Sequence, residues 1–243
     1  MIPPPTTAML LAAGFGTRMR PLTDDTAKPL LELGGRALID HALDRLEEVG
    51  VQTVVVNVHW QADRVAAHLA ARAHPRIILR REESLLETGG GVRAALTVLG
   101  TAPFYVVNGD AFWLDGPHPA LTRLSDQFDI DTVDVMLLVQ RTAWVHAEVG
   151  FGDFAMDKWG RLRRRTEREI VPYVYAGLQI VSPALFNGAP DGPFSMNVLW
   201  DRAIAADRLR AVVHDGPWFH LSTPRDLADA ETILHLRHIG ELR

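Results

Sequence analysis

The chain contains no cysteine. Disulfides, iron–sulfur clusters and thiolate metal sites are thereby excluded, and a reducing compartment suits the composition. There is no excess of basic charge either: 25 Lys and Arg stand against 30 Asp and Glu, a formal net charge of −5. A nucleic-acid footprint, which normally shows as a basic stripe, is not expected. The one basic cluster, Arg161, Arg163, Arg164, Arg165 and Arg168, is interleaved with Glu167 and Glu169 and reads as a solvated face. The N-terminal stretch MIPPPTTAMLLAAG has no basic n-region, and its short apolar run ends in a glycine. Neither a signal peptide nor a membrane span is expected, and the cytoplasm is the expected compartment. No repeat, low-complexity linker or long heptad run is found. The sequence therefore sets no oligomeric state, and a monomer is compatible with it.

What is present is a 243-residue chain, 47% hydrophobic and 23% charged. That length suits one globular domain, since domains usually run to ~100–200 residues. Ala8–Ala12 is a short apolar run of the kind buried in parallel sheets. Arg36–Val49 places Leu38, Ile39, Ala42, Leu43, Leu46 and Val49 on one helical face, and Gly50 stops it. Thr53–Val58, Arg76–Arg80 and Phe104–Val107 read as strands, with helices over Gln61–Ala73 and Val92–Leu99 between them. Strands alternating with helices imply right-handed βαβ units and a parallel sheet. After a further strand at Val133–Gln140 the rhythm changes. Phe151–Arg165 reads as a hairpin turning near Asp157–Gly160, Tyr173–Val181 as a strand, and Asn197–Ala206 and Pro224–Leu236 as helices. Thr223 is the expected N-cap of the last, with Pro224 at its first position. The expected fold is one α/β domain over 1–243, its first half binding one ligand and its antiparallel-leaning second half covering another.

The first strand runs into Leu10–Leu30, LLAAGFGTRMRPLTDDTAKPL. Gly14 and Gly16 invite comparison with the dinucleotide fingerprint, but Met19 stands where its third glycine belongs. The Gly-Lys-Ser/Thr of a P-loop is absent too. What raises the segment above a tight turn is its company. The glycines let backbone amides approach an anion, Arg18 adds a planar fork, and Lys28 adds a point charge before Pro29. Amides, fork and point charge together suit a triphosphate.

This segment resembles the signature of the sugar-nucleotide pyrophosphorylases, the nucleoside-triphosphate:sugar-1-phosphate nucleotidyltransferases, which reads L-A-A-G-x-G-x-R-M-x-P-L-T…K-P. Matches continue in family order through Leu86–Gly91 (LETGGG), Asn108–Asp110 (NGD) and Trp218–Thr223 (WFHLST), so the resemblance covers nearly the whole chain. LETGGG and Phe194–Ile204 (FSMNVLWDRAI) are most similar to the short bacterial N-acetylmuramate-1-phosphate uridylyltransferases of cell-wall sugar recycling. Mannose-1-phosphate guanylyltransferases share enough of the pattern to stand as the alternative. Cytidylyltransferases and molybdopterin guanylyltransferases, which act on non-sugar acceptors, open with the same motif.

The resemblance implies a Rossmann-like, GT-A-like fold with a mixed, mostly parallel central sheet and a smaller antiparallel sugar-binding subregion. The nucleotide-binding half would span about 8–140, the sugar-binding half about 141–223, and a C-terminal helix 224–243. The implied partners are UTP, or another nucleoside triphosphate, and a sugar 1-phosphate. Ala12, Ala13, Gly14, Gly16, Thr17, Arg18 and Lys28 would hold the nucleotide, with Arg18 on the departing phosphates and Lys28 between the α-phosphate and the incoming sugar phosphate. Glu87 and the backbone of a loop at Gly89, Gly90 and Gly91 would face the base. Asn108 would serve the nucleotide as well, and with Asp153, Gly177 and Asn197 would face the sugar. Asp110, at a strand end, is the expected magnesium anchor, since that ion is held by one or two carboxylates plus phosphates and water.

One residue departs from the pattern. The family usually carries Trp-x-Asp-x-Gly-Thr near the C-terminus, its Asp a second metal ligand. Here His220 replaces the acid and Ser222 the glycine. Imidazole is a poor ligand for hard magnesium, so three readings stay open. Asp110, phosphates and water hold the ion alone; or His220 takes a borderline metal such as manganese or cobalt, or donates to phosphate; or the protein binds nucleotide or sugar phosphate without turnover.

Overall fold

A computed structural model describes residues 3–145, 147 and 149–241, without the side chains of 238–241. Met1 and Ile2 of the N-terminal stretch, and 242–243 at the end of the expected last helix, lie outside the described residues.

The first strand, β1 (Thr7–Leu11), is followed by a loop and a two-stranded flap, β2 (Glu32–Leu33) and β3 (Arg36–Ala37). Then come α1 (Leu38–Glu48), β4 (Thr53–Val58), α2 (Ala62–Leu69), β5 (Arg76–Arg81), α3 (Glu87–Leu99) and β6 (Phe104–Asn108). β1 pairs in parallel with β4 on one side and β6 on the other, and β4 pairs in parallel with β5. The second half contributes β7 (Phe112–Trp113), α4 (Ala120–Gln127), β8 (Val135–Arg141), β9 (Phe154–Met156) and β10 (Leu162–Arg164). It closes with β11 (Tyr173–Val181), α5 (Met196–Ala205), β12 (Leu209–Val213), β13 (Trp218–Phe219) and α6 (Pro224–Glu241). β11 runs antiparallel between β6 and β8, and β12 returns parallel to β8. The central sheet is thus mixed and mostly parallel, with β11 reversed. Its N-terminal end also carries the β9–β10 hairpin through Tyr173 and Phe154.

Both faces of the sheet are covered, which is why its strands read as continuous apolar runs rather than alternating ones. Ala8 and Leu10 belong to a core with Ile39, Leu43 and Leu46 of α1, whereas Met9, one residue out of phase, joins Val92 of α3 and Leu199 of α5 on the other face. This is the period-2 alternation of a strand acting inside a buried layer. From β1 the chain moves outward through β4 to β5, then returns to place β6 on the opposite side of β1. Order reverses between β1 and β6, and in open α/β sheets ligands bind outside the carboxyl ends of strands at such a point.

Several sequence boundaries shift. Arg36–Ala37 is strand, so α1 starts at Leu38. α2 is shorter than expected, and α5 starts at Met196, capped by the Ser195 hydroxyl. Thr223 and Asp226 cap α6 reciprocally: Asp226 Oδ2 accepts from Thr223 N (2.7 Å) and Asp226 N donates to Thr223 Oγ1 (3.3 Å), a capping-box geometry.

The glycine triplet needs a larger correction. Gly89, Gly90 and Gly91 are not a loop; α3 begins at Glu87 and contains them. The amides of Gly89 and Gly90 donate to the Phe194 carbonyl (2.8 and 3.1 Å), and Phe194 N donates back to Leu86 O (3.1 Å). A Cβ on Gly89 would lie 2.3 Å from the Phe194 ring, and one on Gly90 2.6 Å from the Gly192 carbonyl. Bare backbone here lets the segment before α5 dock on the first turn of α3. Gly89→Ala is therefore expected to destabilise the protein by about 1–3 kcal/mol through overpacking. Calorimetric melting would show it as a lowered Tm; an unchanged Tm would mean that this contact yields at no cost.

Candidate nucleotide and sugar-phosphate site

The loop after β1 is shaped by Gly16, which adopts φ 62°. Its carbonyl accepts from Met19 N (2.9 Å) and Thr23 Oγ1 (2.8 Å). A Cβ there would fall 3.0 Å from Lys28 Cβ and 3.1 Å from Thr23 Cγ2, so Gly16 supplies both the left-handed turn and the room for the lysine stem. Met19 is fully buried and pins the loop, while Arg18 beside it stays exposed. Pro29 is also buried and anchors the short turn Lys28–Leu30.

Across the switch point, β6 ends in the turn Asn108–Ala111, closed by Ala111 N on Asn108 O (3.0 Å). Gly109 packs on β1 so closely that a Cβ would lie 2.8 Å from the Leu11 carbonyl. Asp110 is thereby presented toward the glycine loop, where its Oδ2 meets Lys28 Nζ at 2.5 Å. The two expected charges, 82 residues apart in the chain, form one ion pair.

A cavity of about 500 Å³ opens over this pair, lined by Ala12, Ala13, Gly14, Gly16, Thr17 and Arg18 from the first loop and by Lys28, Asn108 and Asp110. Glu87 and Thr88 line it as well, and Glu87 holds φ 58°, a conformation uncommon for a residue with a Cβ. Gly89 and Gly90 are buried, with their amides on Phe194.

Two further residues that the sequence reading did not single out reach this cavity. Asn57, at the end of β4, accepts from Ala12 N through Oδ1 (2.9 Å) and donates to Glu82 Oε1 (2.7 Å). Glu82 Oε2 then accepts from Leu86 N (3.0 Å). This chain ties the first loop to the start of α3. Glu82 is only 8% exposed, and the bonds it accepts make a buried carboxylate tolerable.

A second cavity, about 290 Å³, adjoins the first and shares Leu11, Thr88, Asn108 and Ser195 with it. Asp153 lines it, with Oδ2 held by Tyr175 N at 2.9 Å, and so does Asn197. Gly177 sits at the irregularity in β11 between Tyr175 and Gln179, at φ 87°, where a Cβ would come within 3.0 Å of Ala111 Cβ. Its part is to let β11 pass beneath the Asn108–Ala111 turn. The basic cluster, read as a solvated face, divides. Arg163, itself exposed, pairs with the half-buried Glu169, whereas Arg164 lines the second cavity.

His220 does not line the first cavity; Ser222 does. The His220 ring packs in a small pocket between β13 and α6, beside Asp226. Burial is the main cause that lowers its pKa below the ordinary histidine value, reinforced by Lys28 and Arg18 and opposed by Asp226 and Asp110. The imidazole is thus neutral at neutral pH, within the electrostatic field of the Lys28–Asp110 pair.

The described residues contain no cluster of three or more metal-ligating side chains. Asp110 offers one carboxylate at the cavity floor. That donor set fits a hard ion brought by phosphate oxygens and water rather than one caged by protein alone.

Comparison with known proteins agrees with this geometry. Residues 8–218 match the family model described as the MobA-like NTP transferase domain. The chain is 43% identical over 238 residues to an N-acetylmuramate alpha-1-phosphate uridylyltransferase from Caulobacter vibrioides, covering 95% of this chain and 97% of the relative. It is 46% identical over 230 residues to a protein of the same name from Neisseria meningitidis, covering 93% and 97%. Among solved structures, a UDP-glucose pyrophosphorylase complexed with UDP-glucose superposes with a TM-score of 0.79 over 96% of this chain and 99% of that one, at 14% identity. A cavity of about 500 Å³ at the sheet's switch point, a family model spanning most of the sequence and relatives matched almost end to end together place the chain in the MobA-like NTP transferase family of nucleotidyltransferases.

Proposed function

We propose that the protein transfers UMP from UTP to N-acetylmuramate 1-phosphate, forming the UDP-sugar and pyrophosphate. The observation that carries this reading is the pair of adjoining cavities, joined at Asn108, with Lys28 and Asp110 on the floor of the first. In such a transfer an oxygen of the sugar phosphate attacks the α-phosphorus, the new P–O bond forms, and the bond to the bridging oxygen of pyrophosphate breaks. The protein's share is to bring two anions into line and neutralise the charge between them. The first-loop residues and Arg18 would cradle the triphosphate, and Lys28 would sit where the two phosphates meet. Asp110 would hold a divalent ion arriving with the nucleotide, whose chemistry is to neutralise phosphate charge. With the Gly89 and Gly90 amides engaged by Phe194, contact with the base falls to the neighbouring edge of Leu85, Glu87 and Thr88. Asp153, Asn197 and Asn108 would meet the sugar.

The preference for uridine and N-acetylmuramate rests on the two relatives of 43% and 46% identity. A matrix of nucleoside triphosphates against sugar 1-phosphates, scored by pyrophosphate release with magnesium, tests it. UTP with N-acetylmuramate 1-phosphate is expected to give the highest kcat/KM. Preference for GTP with mannose 1-phosphate would overturn it, and UTP binding with no turnover would identify a sensor instead.

His220→Asp restores the residue usual in the resembling enzymes. Placed in the field of Lys28 and Asp110, it is expected to retain or raise magnesium-dependent activity. Titrating magnesium in both proteins checks this. A loss of more than about tenfold at saturating ion would mean that the imidazole has a role of its own, because a carboxylate is the better magnesium donor.

A further inference from the structure

The second cavity presents donors that no protein acceptor answers. Arg164, on β10, is gripped along one edge: Nε donates to Asp201 Oδ1 (2.7 Å) and Nη2 to Asn197 Oδ1 (2.9 Å). Its plane lies over two rings, 4.8 Å from the centre of Phe154 and 5.5 Å from that of Trp200. Clamped at one edge and packed on two adjoining rings whose centres lie 6.2 Å apart, the guanidinium has reduced rotamer freedom left to lose on binding. Among the described residues its Nη1 has no hydrogen-bond partner, and the side chain lines the cavity at 33% exposure. In the same wall the Tyr175 hydroxyl is buried without a partner. A buried hydroxyl left unmet costs on the order of 1–3 kcal/mol, so the wall suits a ligand that brings acceptors.

We infer that Arg164 is a specificity-determining residue that selects a sugar 1-phosphate carrying a second anion, a carboxylate, on its ring. This rests on the proposed function, and deepens it by separating the two anions of the substrate. The phosphate belongs to Lys28 at the first cavity; the carboxylate belongs to the free edge of Arg164 at the far wall of the second. A carboxylate is acceptor-only and planar, which matches a guanidinium edge. Asp153 in the same cavity repels an anion and suits ring hydroxyls, so the acid is directed to the Arg164 side. Asp201 and Asn197 act as positioning residues, setting the angle at which that edge is offered.

N-acetylmuramate 1-phosphate and N-acetylglucosamine 1-phosphate make the test, because they differ only in the lactyl ether that carries the carboxylate. Arg164→Met retains an unbranched stem over Phe154 and Trp200 but loses the charge. The muramate-to-glucosamine ratio of kcat/KM is expected to fall about 100-fold, mostly through KM, as for loss of one charged hydrogen-bonded contact. Arg164→Lys, which keeps charge without the fork, should lie between. Calorimetric binding of each ester to the intact protein reads the same ratio without turnover. Equal losses on both esters, or an unchanged ratio, would overturn the role of Arg164 alone. Wild-type protein that ignores the muramate ester while using another sugar phosphate would overturn the proposed function itself.

Discussion

Replacing Lys28 with methionine is expected to lower kcat/KM for nucleotidyl transfer about 10³-fold while leaving the melting temperature nearly unchanged. The two halves of this expectation have different causes. In the unliganded protein Lys28 pairs with Asp110, the two side chains being 12% and 36% exposed, and an ion pair that still reaches solvent contributes about 1 kcal/mol or less to stability. In the transition state the same ammonium would lie against two phosphates in a cavity with restricted water. A fixed cation aimed at developing charge commonly supplies about 3–4 kcal/mol there, or two to three orders of magnitude in rate. Methionine preserves the stem that packs beside Gly16, so the loop itself should persist. Steady-state kinetics and calorimetry on the same preparation decide the matter. A tenfold loss or less would place the triphosphate elsewhere in the cavity. A collapse of the melting temperature would make Lys28 a structural strut.

Asp110→Asn is expected to cost at least as much, for a different reason. The amide keeps the shape of the side chain and its reach to Lys28, but it removes the carboxylate that meets Lys28 in the first cavity. Of the line of acids that the resembling enzymes bring to the ion, this chain keeps Asp110 and has His220 in the other place. There is accordingly no second carboxylate at that place to take over. A loss of about 10³-fold or more is expected, partly recovered by raising magnesium, whereas the Lys28 variant should not respond to the ion. Combining both substitutions should cost about as much as the worse single one, because groups that act as a unit are not additive. If Asp110→Asn loses less than tenfold, and the loss ignores magnesium, the carboxylate is a tether for Lys28 rather than an anchor for metal.

Much of the fold was legible because burial on both faces writes itself into composition. TVVVNV in β4 and FYVVN in β6 could hardly be anything but central strands. Arg18 and Asp110 were legible for a related reason: one follows the glycine pair just past an apolar strand and the other follows the end of one, and such spots place polar groups at the rim of a sheet; Lys28 was legible from its place before Pro29. Asn57 and Glu82 had a weaker signal of the same kind, one amide closing a β-branched strand and one acid just past the next. Arg164 had none. Among five arginines in the same stretch, only packing against Phe154 and Trp200 distinguishes it.

The sequence by itself determined the parallel core and the residue types gathered at its switch point, because these follow from local periodicity and from loop chemistry read within a few residues. Tertiary structure alone decided three matters that depend on long-range contact. It turned the glycine triplet from a loop into the seat of Phe194, since only a facing backbone says why a Cβ is missing. It joined Lys28 to Asp110 across the reversal between β1 and β6. And it set Arg164 against the wall of the second cavity, because whether an arginine faces open water or a cavity is set by the elements that fold around it.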